Sequence, residues 1–350
     1  MTSPLSTAKA VLRWVASVIA ACTLAAFRAA SVCAGTGLTV LPATGADGPA
    51  TVYYPSNAPD QPITRGPFTL QLALNGPPRP GNGRLIVISH GSGASAWVYN
   101  DLAQHLVADG FIVAMPEHAG DNWHDHSKAR PESWKLRPLE ISRAIDAISQ
   151  DARFAPLVDT QRVGMWGMSA GGHTALALAG GRWSPARLLA HCEAHLADDF
   201  AACTGAATTL HGNGWDGIKK MIVMPLIRWH LRGDDALYGH TDPRVQAIVS
   251  GVPVAADFDL ATLARPPVPL GSIQAGQDLW LVPKFGKYVL DKRKIEVHDC
   301  THTGAIACLQ QFIPPLDSLT TMPRASILKP SAGPMAQYAR TAAVRNAIAA

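Results

Sequence analysis

Residues 162–179 read RVGMWGMSAGGHTALALA. Arg162 to Trp166 has the short apolar run of a strand buried on both faces, and Gly172 to Ala179 has the small-residue composition of a helix. Between them stands Gly167-Met168-Ser169-Ala170-Gly171, a G-x-S-x-G at a strand-to-helix junction. So sharp a turn strains the serine backbone and needs glycines two before and two after, where neighbouring backbone closes in. Its hydroxyl is left exposed, and Ser169 is the candidate nucleophile.

The same punctuation continues outward. Candidate strands are Thr51 to Tyr54, Phe68 to Leu74, Leu85 to Ser89, Phe111 to Met115, Val163 to Trp166, Val245 to Val252, Val268 to Gln274 and Lys294 to Val297. Phe68 to Leu74 alternates as an edge strand would. Trp97 to Asp109 and Pro138 to Gln150 show helical spacing, the latter with Leu139, Ile141, Ile145 and Ile148 near one stripe. Strand and helix in series predict an α/β fold, a doubly wound, mostly parallel sheet with helices on both faces. Residues 181–244 are too long for a connection and carry their own helical patterns, Leu188 to Ala202 and Ile218 to Leu231, so they read as a helical cap inserted over the sheet edge. The main domain, with this insertion, spans 35–313. Residues 314–350 form a tail rich in Pro, Ala, Ser and Thr, with a candidate last helix from Met335 to Ala349.

A serine nucleophile needs a base, and the base needs an orienting carboxylate. Asp278, in the loop after Val268 to Gln274, and His302, in the loop after Lys294 to Val297, follow Ser169 in that order. His298 competes for the base but continues the polar alternation of Lys294 and Glu296, a sheet-face position. Asp257 and Asp259 compete for the acid. Upstream, Leu85 to Ser89 runs into His90-Gly91-Ser92-Gly93, whose backbone can turn amides toward a developing oxyanion. The backbone N–H of Ala170 is the expected second donor.

The 350 residues are 47% hydrophobic and 16% charged, which excludes disorder for most of the chain. Thirty Lys and Arg against 26 Asp and Glu give no nucleic-acid footprint. Trp14 to Phe27 is an uncharged apolar run of 14 residues, preceded by Lys9 and Arg13 and followed by small residues ending Val32-Cys33-Ala34. It is shorter than the roughly 20 residues of a membrane span, so 1–34 reads as a signal peptide cleaved after Ala34 and the mature chain has no stable membrane span. Ile19-Ala20-Ala21-Cys22 loosely matches a lipoprotein box, making an anchor at Cys22 the alternative. Export to a periplasmic or extracellular space permits disulfides among Cys192, Cys203, Cys300 and Cys308, which allow three pairings. In an unbroken helix Cys192 and Cys203 would stand about 16 Å apart, so the local pairing, which is expected, requires a bend near Asp198 to Phe200.

The stretches VISHGSGAS (87–95), GFIVAMPEHAGDN (110–122), VGMWGMSAGGHTAL (163–176), AGQDLWLVP (275–283) and CTHTGAIAC (300–308) together resemble the α/β-hydrolase superfamily, in its branch of dienelactone hydrolases and platelet-activating-factor acetylhydrolase-like esterases. The resemblance covers residues 37–312. It implies acyl-ester hydrolysis by a serine triad, with the Ser92 and Ala170 backbone N–H groups as oxyanion donors, without a cofactor, on a small-molecule ester. Two departures matter: dienelactone hydrolases use cysteine where this chain has Ser169, and some acetylhydrolases place the acid after the sixth strand, which keeps Asp257 in play.

Three other patterns were weighed. Gly212-Asn213-Gly214-Trp215-Asp216-Gly217 matches a dinucleotide fingerprint with Asp234 downstream, but no buried strand precedes it and Trp215 is bulky for a phosphate turn. His118, His124 and His126 with Asp121 and Asp125, and His191 with His195, could be drawn as metal sites; the solvated-surface reading is preferred, with His118 near the pocket. The expectation is an exported serine esterase, against a noncatalytic binding module on the same scaffold or, more remotely, a nucleotide-dependent enzyme.

Overall fold

The computed structural model describes residues 35–65, 68–205, 207–286 and 294–297. In chain order the elements are β1 (Gly35–Leu41), β2 (Ala50–Ser56), β3 (Gln61–Arg65), β4 (Phe68–Leu74), β5 (Leu85–Ser89), α1 (Asn100–Ala108), β6 (Ile112–Pro116), α2 (Glu132–Gln150), β7 (Val163–Met168), α3 (Ala170–Leu178), β8 (Arg182–Trp183), α4 (Pro185–His195), α5 (Phe200–Cys203), α6 (Trp215–Leu231), β9 (Val245–Gly251), β10 (Phe258–Asp259), β11 (Leu270–Ala275), α7 (Pro283–Gly286) and β12 (Lys294–Val297).

Ten strands form one sheet in the order β12-β11-β9-β7-β5-β6-β2-β1-β4-β3. From β12 to β6 every neighbouring pair is parallel. The N-terminal strands add an antiparallel flank through β2 on β6 and β1 on β2. Continuous apolar composition is what such central strands need, because both faces are covered. In β5, Leu85 and Val87 enter the core beside α2 and α3, while Ile86 and Ile88 enter the one beneath α1. Full burial of each such side chain contributes about 1.5–3 kcal/mol.

Several sequence expectations shift. β4 is not the edge strand: β3 pairs outside it, and β4 also meets β1 in parallel. The helix expected from Pro138 begins a turn and a half earlier and runs through the proline. Pro138 has no N–H for the Trp134 carbonyl, yet Ser133, Trp134, Arg137 and Glu140 are buried with the apolar stripe and hold the segment helical. Leu139, by contrast, is exposed.

The 181–244 insertion contains α4, α5 and α6, but its base belongs to the main core. Trp183, Leu188, Ile227 and Leu231 join the same apolar cluster as α2 and α3, and β8 pairs with β10 after the sheet strand β9. The helical stretch from Leu188 to Ala202 breaks between His195 and Phe200, where the local pairing requires a bend, and Cys192 is bonded to Cys203 across it. The outer face of α6 exposes Trp215, Met221, Ile222, Leu226 and Trp229. Among the described residues, no helix is long and apolar enough to cross a membrane.

Candidate active site

Ser169 ends β7 and begins α3 with φ 57° and ψ −118°, in the positive-φ region that side chains disfavour. Its amide donates to the Gly251 carbonyl at 3.0 Å, and its own carbonyl accepts from His173 at 2.9 Å. The flanking glycines are required by contact: a Cβ on Gly167 would strike the Gly171 carbonyl, and one on Gly171 would strike that of Ser89. Every residue of α3 is buried, which accounts for its small side chains and lack of a polar face.

The loop after β5 lies beside this turn. A Cβ on Gly91 would stand 3.6 Å from Ser169 Cβ. Within the loop, the Gly91 amide donates to Tyr99 Oη at 3.0 Å and the Gly93 amide to Asp121 Oδ1 at 3.2 Å. Burial pushes the Tyr99 phenol up to about 12, so it stays a neutral partner. Among the described residues, the amides of Ser92 and Ala170 have no hydrogen-bond acceptor. They are the two N–H groups the sequence nominated for an oxyanion.

The support beneath the loop was missed from sequence. Arg137, fully buried, donates to the His90 carbonyl at 2.5 Å and to Asp121 Oδ2 at 2.9 Å. Asp121 also accepts from the Ser92 hydroxyl at 2.5 Å and the Ser133 hydroxyl at 2.8 Å. Burial alone would raise the Asp121 carboxyl, but the Arg137 guanidinium and these hydroxyls outweigh it and hold it below the usual carboxylate range. His118 does not line a pocket. It is buried, with Nε2 2.7 Å from Ser89 Oγ and Nδ1 2.5 Å from Glu140 Oε2, and its amide donates to His90 Nε2 at 3.2 Å. Burial lowers both imidazoles well below their ordinary value and raises Glu140.

The two candidate acids differ sharply. Asp257 is fully buried behind α3, with Oδ2 3.0 Å from His173 Nε2, among Trp134, Trp183 and Phe258 packed on that imidazole. Asp278 lies past the carboxyl end of β11, its Oδ1 accepting from the amides of Trp280 and Leu281 at 2.8 and 2.9 Å. A cleft there, between α5 and the ends of β9 and β11, is lined by Ala202, Val252, Val254, Gln274, Asp278 and Phe285. β12 ends with Val297 opposite Ala275, three residues before Asp278. His302 and His298 lie outside the described residues, as do Cys300, Cys308, the 1–34 leader and the 314–350 tail.

The remaining patterns have structural occupants. In the Gly212 to Gly217 turn the Asp216 carboxylate accepts from the His211 and Gly212 amides, filling the place a phosphate would need. Asp234 pairs with Lys135 at 2.6 Å, His191 with Asp199 at 2.8 Å and His124 with Glu117 at 2.9 Å. Among the described residues, no three His, Cys, Asp or Glu side chains are grouped as metal ligands.

No curated protein matches the chain. The family model of platelet-activating factor acetylhydrolase, isoform II, matches residues 64–132, a segment that runs from β3 to the start of α2 and holds the whole loop after β5 together with Asp121. That match, joined to a mostly parallel sheet presenting a strained serine between a strand and a helix, supports a hydrolase of the α/β-hydrolase type, similar over this segment to the platelet-activating-factor acetylhydrolases.

Proposed function

We propose that the protein is an exported serine esterase acting on small carboxylic esters through Ser169, His302 and Asp278. Ser169 Oγ attacks the ester carbonyl while the His302 imidazole takes its proton, and the negative oxygen of the tetrahedral intermediate rests on the Ser92 and Ala170 amides. Collapse breaks the bond to the leaving alkoxide, which receives the proton from His302. Water, deprotonated by the same imidazole, then attacks the acyl carbonyl, and collapse breaks the bond to Ser169 Oγ, which takes the proton back from His302 as the acid leaves. Asp278 holds the imidazole in the tautomer that accepts a proton. No step requires a metal or an organic cofactor.

The observation that carries this reading is the backbone of Ser169 beside a loop in which the neighbouring amides of Gly91 and Gly93 are engaged and that of Ser92 is open. The choice of Asp278 rests on its place past a parallel strand end beside a cleft, whereas Asp257 is fully buried with Oδ2 on His173. Export is supported by the apolar leader and by the Cys192–Cys203 bond, which suits an oxidising compartment. Treatment with a fluorophosphonate probe followed by peptide mapping is expected to place one adduct on Ser169 and none in Ser169→Ala. An unlabelled wild-type protein would favour the noncatalytic reading, and N-terminal sequencing that finds Met1 on the exported fraction would remove the signal peptide.

A further inference from the structure

We infer that Asp121 is a positioning residue for ester hydrolysis, a splint that holds the Ser92 amide in place as oxyanion donor; the inference rests on the serine-esterase reading above. A loop rich in glycine has many conformations, and an oxyanion donor contributes only if it is fixed where charge develops. In His90-Gly91-Ser92-Gly93 the restraints next to the Ser92 amide come from Asp121 and the groups that hold it. Asp121 Oδ1 takes the Ser92 hydroxyl and the Gly93 amide, the two polar groups that follow the Ser92 amide along the chain. Its other oxygen takes Ser133 Oγ and Arg137, and Arg137 reaches back to the His90 carbonyl at the start of the loop. Further restraints act before the Ser92 amide: Tyr99 on the Gly91 amide, the Ala94 amide and His90 Nδ1 on the Gly91 carbonyl, and the His118 amide on His90 Nε2.

The arrangement is self-consistent in charge. Asp121 and Arg137 are both fully buried and neutralise each other, so the carboxylate stays ionised and accepts from every donor it meets. Ser92 itself is exposed, so its hydroxyl bond to Asp121 is a restraint on the loop and not a piece of the core. Removing that hydroxyl leaves the Ser92 amide in the chain but free to swing. The effect falls on the transition state, where the oxygen is charged, and spares substrate binding.

The test uses the full-length protein, p-nitrophenyl acetate, and a trifluoromethyl ketone that forms a tetrahedral oxyanion adduct with an active serine. Ser92→Ala is expected to lower kcat about 10-fold, and Asp121→Asn about 100-fold, with KM held within about twofold. The inhibition constant of the ketone is expected to rise by the same factor as kcat falls, and Ser92→Thr, which keeps a hydroxyl, to return kcat to within about threefold of the wild type. If Asp121→Asn does not fold, Ser92→Ala carries the test alone, because its side chain is at the surface. A Ser92→Ala protein with wild-type kcat, or one whose kcat falls with no loss of ketone affinity, overturns the splint. A wild-type protein inert to the ester and to fluorophosphonate overturns instead the esterase reading beneath it.

Discussion

Two serines in this fold stand next to machinery that looks catalytic, and only one is placed to use it. Ser89, His118 and Glu140 are linked in series at 2.7 and 2.5 Å, the hydrogen-bond order of a triad, yet all three are buried and their task is to hold the ends of β5 and β6. Ser169 instead has a positive-φ backbone held by its amide on the Gly251 carbonyl and its carbonyl on the His173 amide, and strain of about 1–3 kcal/mol persists only where the surroundings over-determine it. Replacing Ser169 with alanine is expected to cut ester turnover by about four orders of magnitude or more with the melting temperature nearly unchanged, as measured by steady-state kinetics and calorimetry. Retained turnover would remove Ser169 from the mechanism. The two aspartates separate by kind of damage. Asp278→Asn is expected to lower kcat about 10³- to 10⁴-fold in a protein of near-native stability, because the imidazole loses the partner that fixes its tautomer. Asp257→Asn is expected to act mainly on stability, because it disturbs a buried carboxylate bound to His173. If the two variants exchange these phenotypes, the acid belongs after β9.

The bend between α4 and α5 shows how a covalent bond and a short helix act together. Phe200–Cys203 is too short to persist alone, and it is held by the Cys192 bond on one side and by Arg130, whose guanidinium donates to the Ala202 and Cys203 carbonyls, on the other. Burial lowers the Arg130 guanidinium to about 10, against the opposing pull of Asp257 and Asp199, so it remains charged at neutral pH. With cysteines 11 residues apart, cross-linking should contribute about 3 kcal/mol in the chain-entropy account. Reduction, or a Cys192→Ser and Cys203→Ser pair, is expected to lower the melting temperature by several degrees, and peptide mapping of the unreduced mature protein should join Cys300 to Cys308, the pairing left over. Free thiols at both would contradict an oxidising compartment. The elements that carry the site were legible because their signals are local: β5, β4 and β12 have the boundaries that apolar runs suggest, and the G-x-S-x-G turn needs no distant partner. β1 and β3 were missed because their glycines, threonines and proline resemble loop, and only pairing with β2 and β4 makes them strands. Arg137 and Glu140 left a trace, charges on the stripe of Ile141, Ala144 and Ile148, but their partners lie on β5 and the loop after β6, and sequence spacing along one helix does not show them.

Joining β5, β6 and α2 through one buried polar network also sets how the whole molecule answers to acid. His90 and His118 are neutral in the fold because burial, and the Arg137 guanidinium, lower them well below the ordinary value of about 6.5 that they regain on unfolding. The unfolded chain therefore binds more protons, and the stability these groups contribute is complete above pH ~6.5 and is lost as pH falls toward their folded values, at about 1.4 kcal/mol per pH unit for each. Glu140 has the opposite sign, since burial raises it and the fold keeps its proton more tightly, but it is one group against two. Asp121, held low, adds to the loss only in the acid range, below the ordinary carboxylate value. Urea unfolding at pH 7.5 and pH 5.5 should show the protein less stable at the lower pH. His118→Gln should be less stable than the wild type at pH 7.5, having lost its bond to Ser89 or Glu140, yet lose about 1.4 kcal/mol less than the wild type across those two pH units. Equal losses would show that His118 titrates in the fold as it does in the unfolded chain. This loss is separable from the chemistry, because the acid limb of turnover follows the base that accepts the Ser169 proton. If that base is His302 paired with Asp278, Asp278→Asn moves the limb to lower pH as well as reducing its height, since removing the carboxylate removes what favours the imidazolium. Urea stability of the same variant should keep the wild-type dependence on pH, so a limb and an unfolding curve that shift together would mean that acid inactivates the enzyme by opening the network and not by protonating its base.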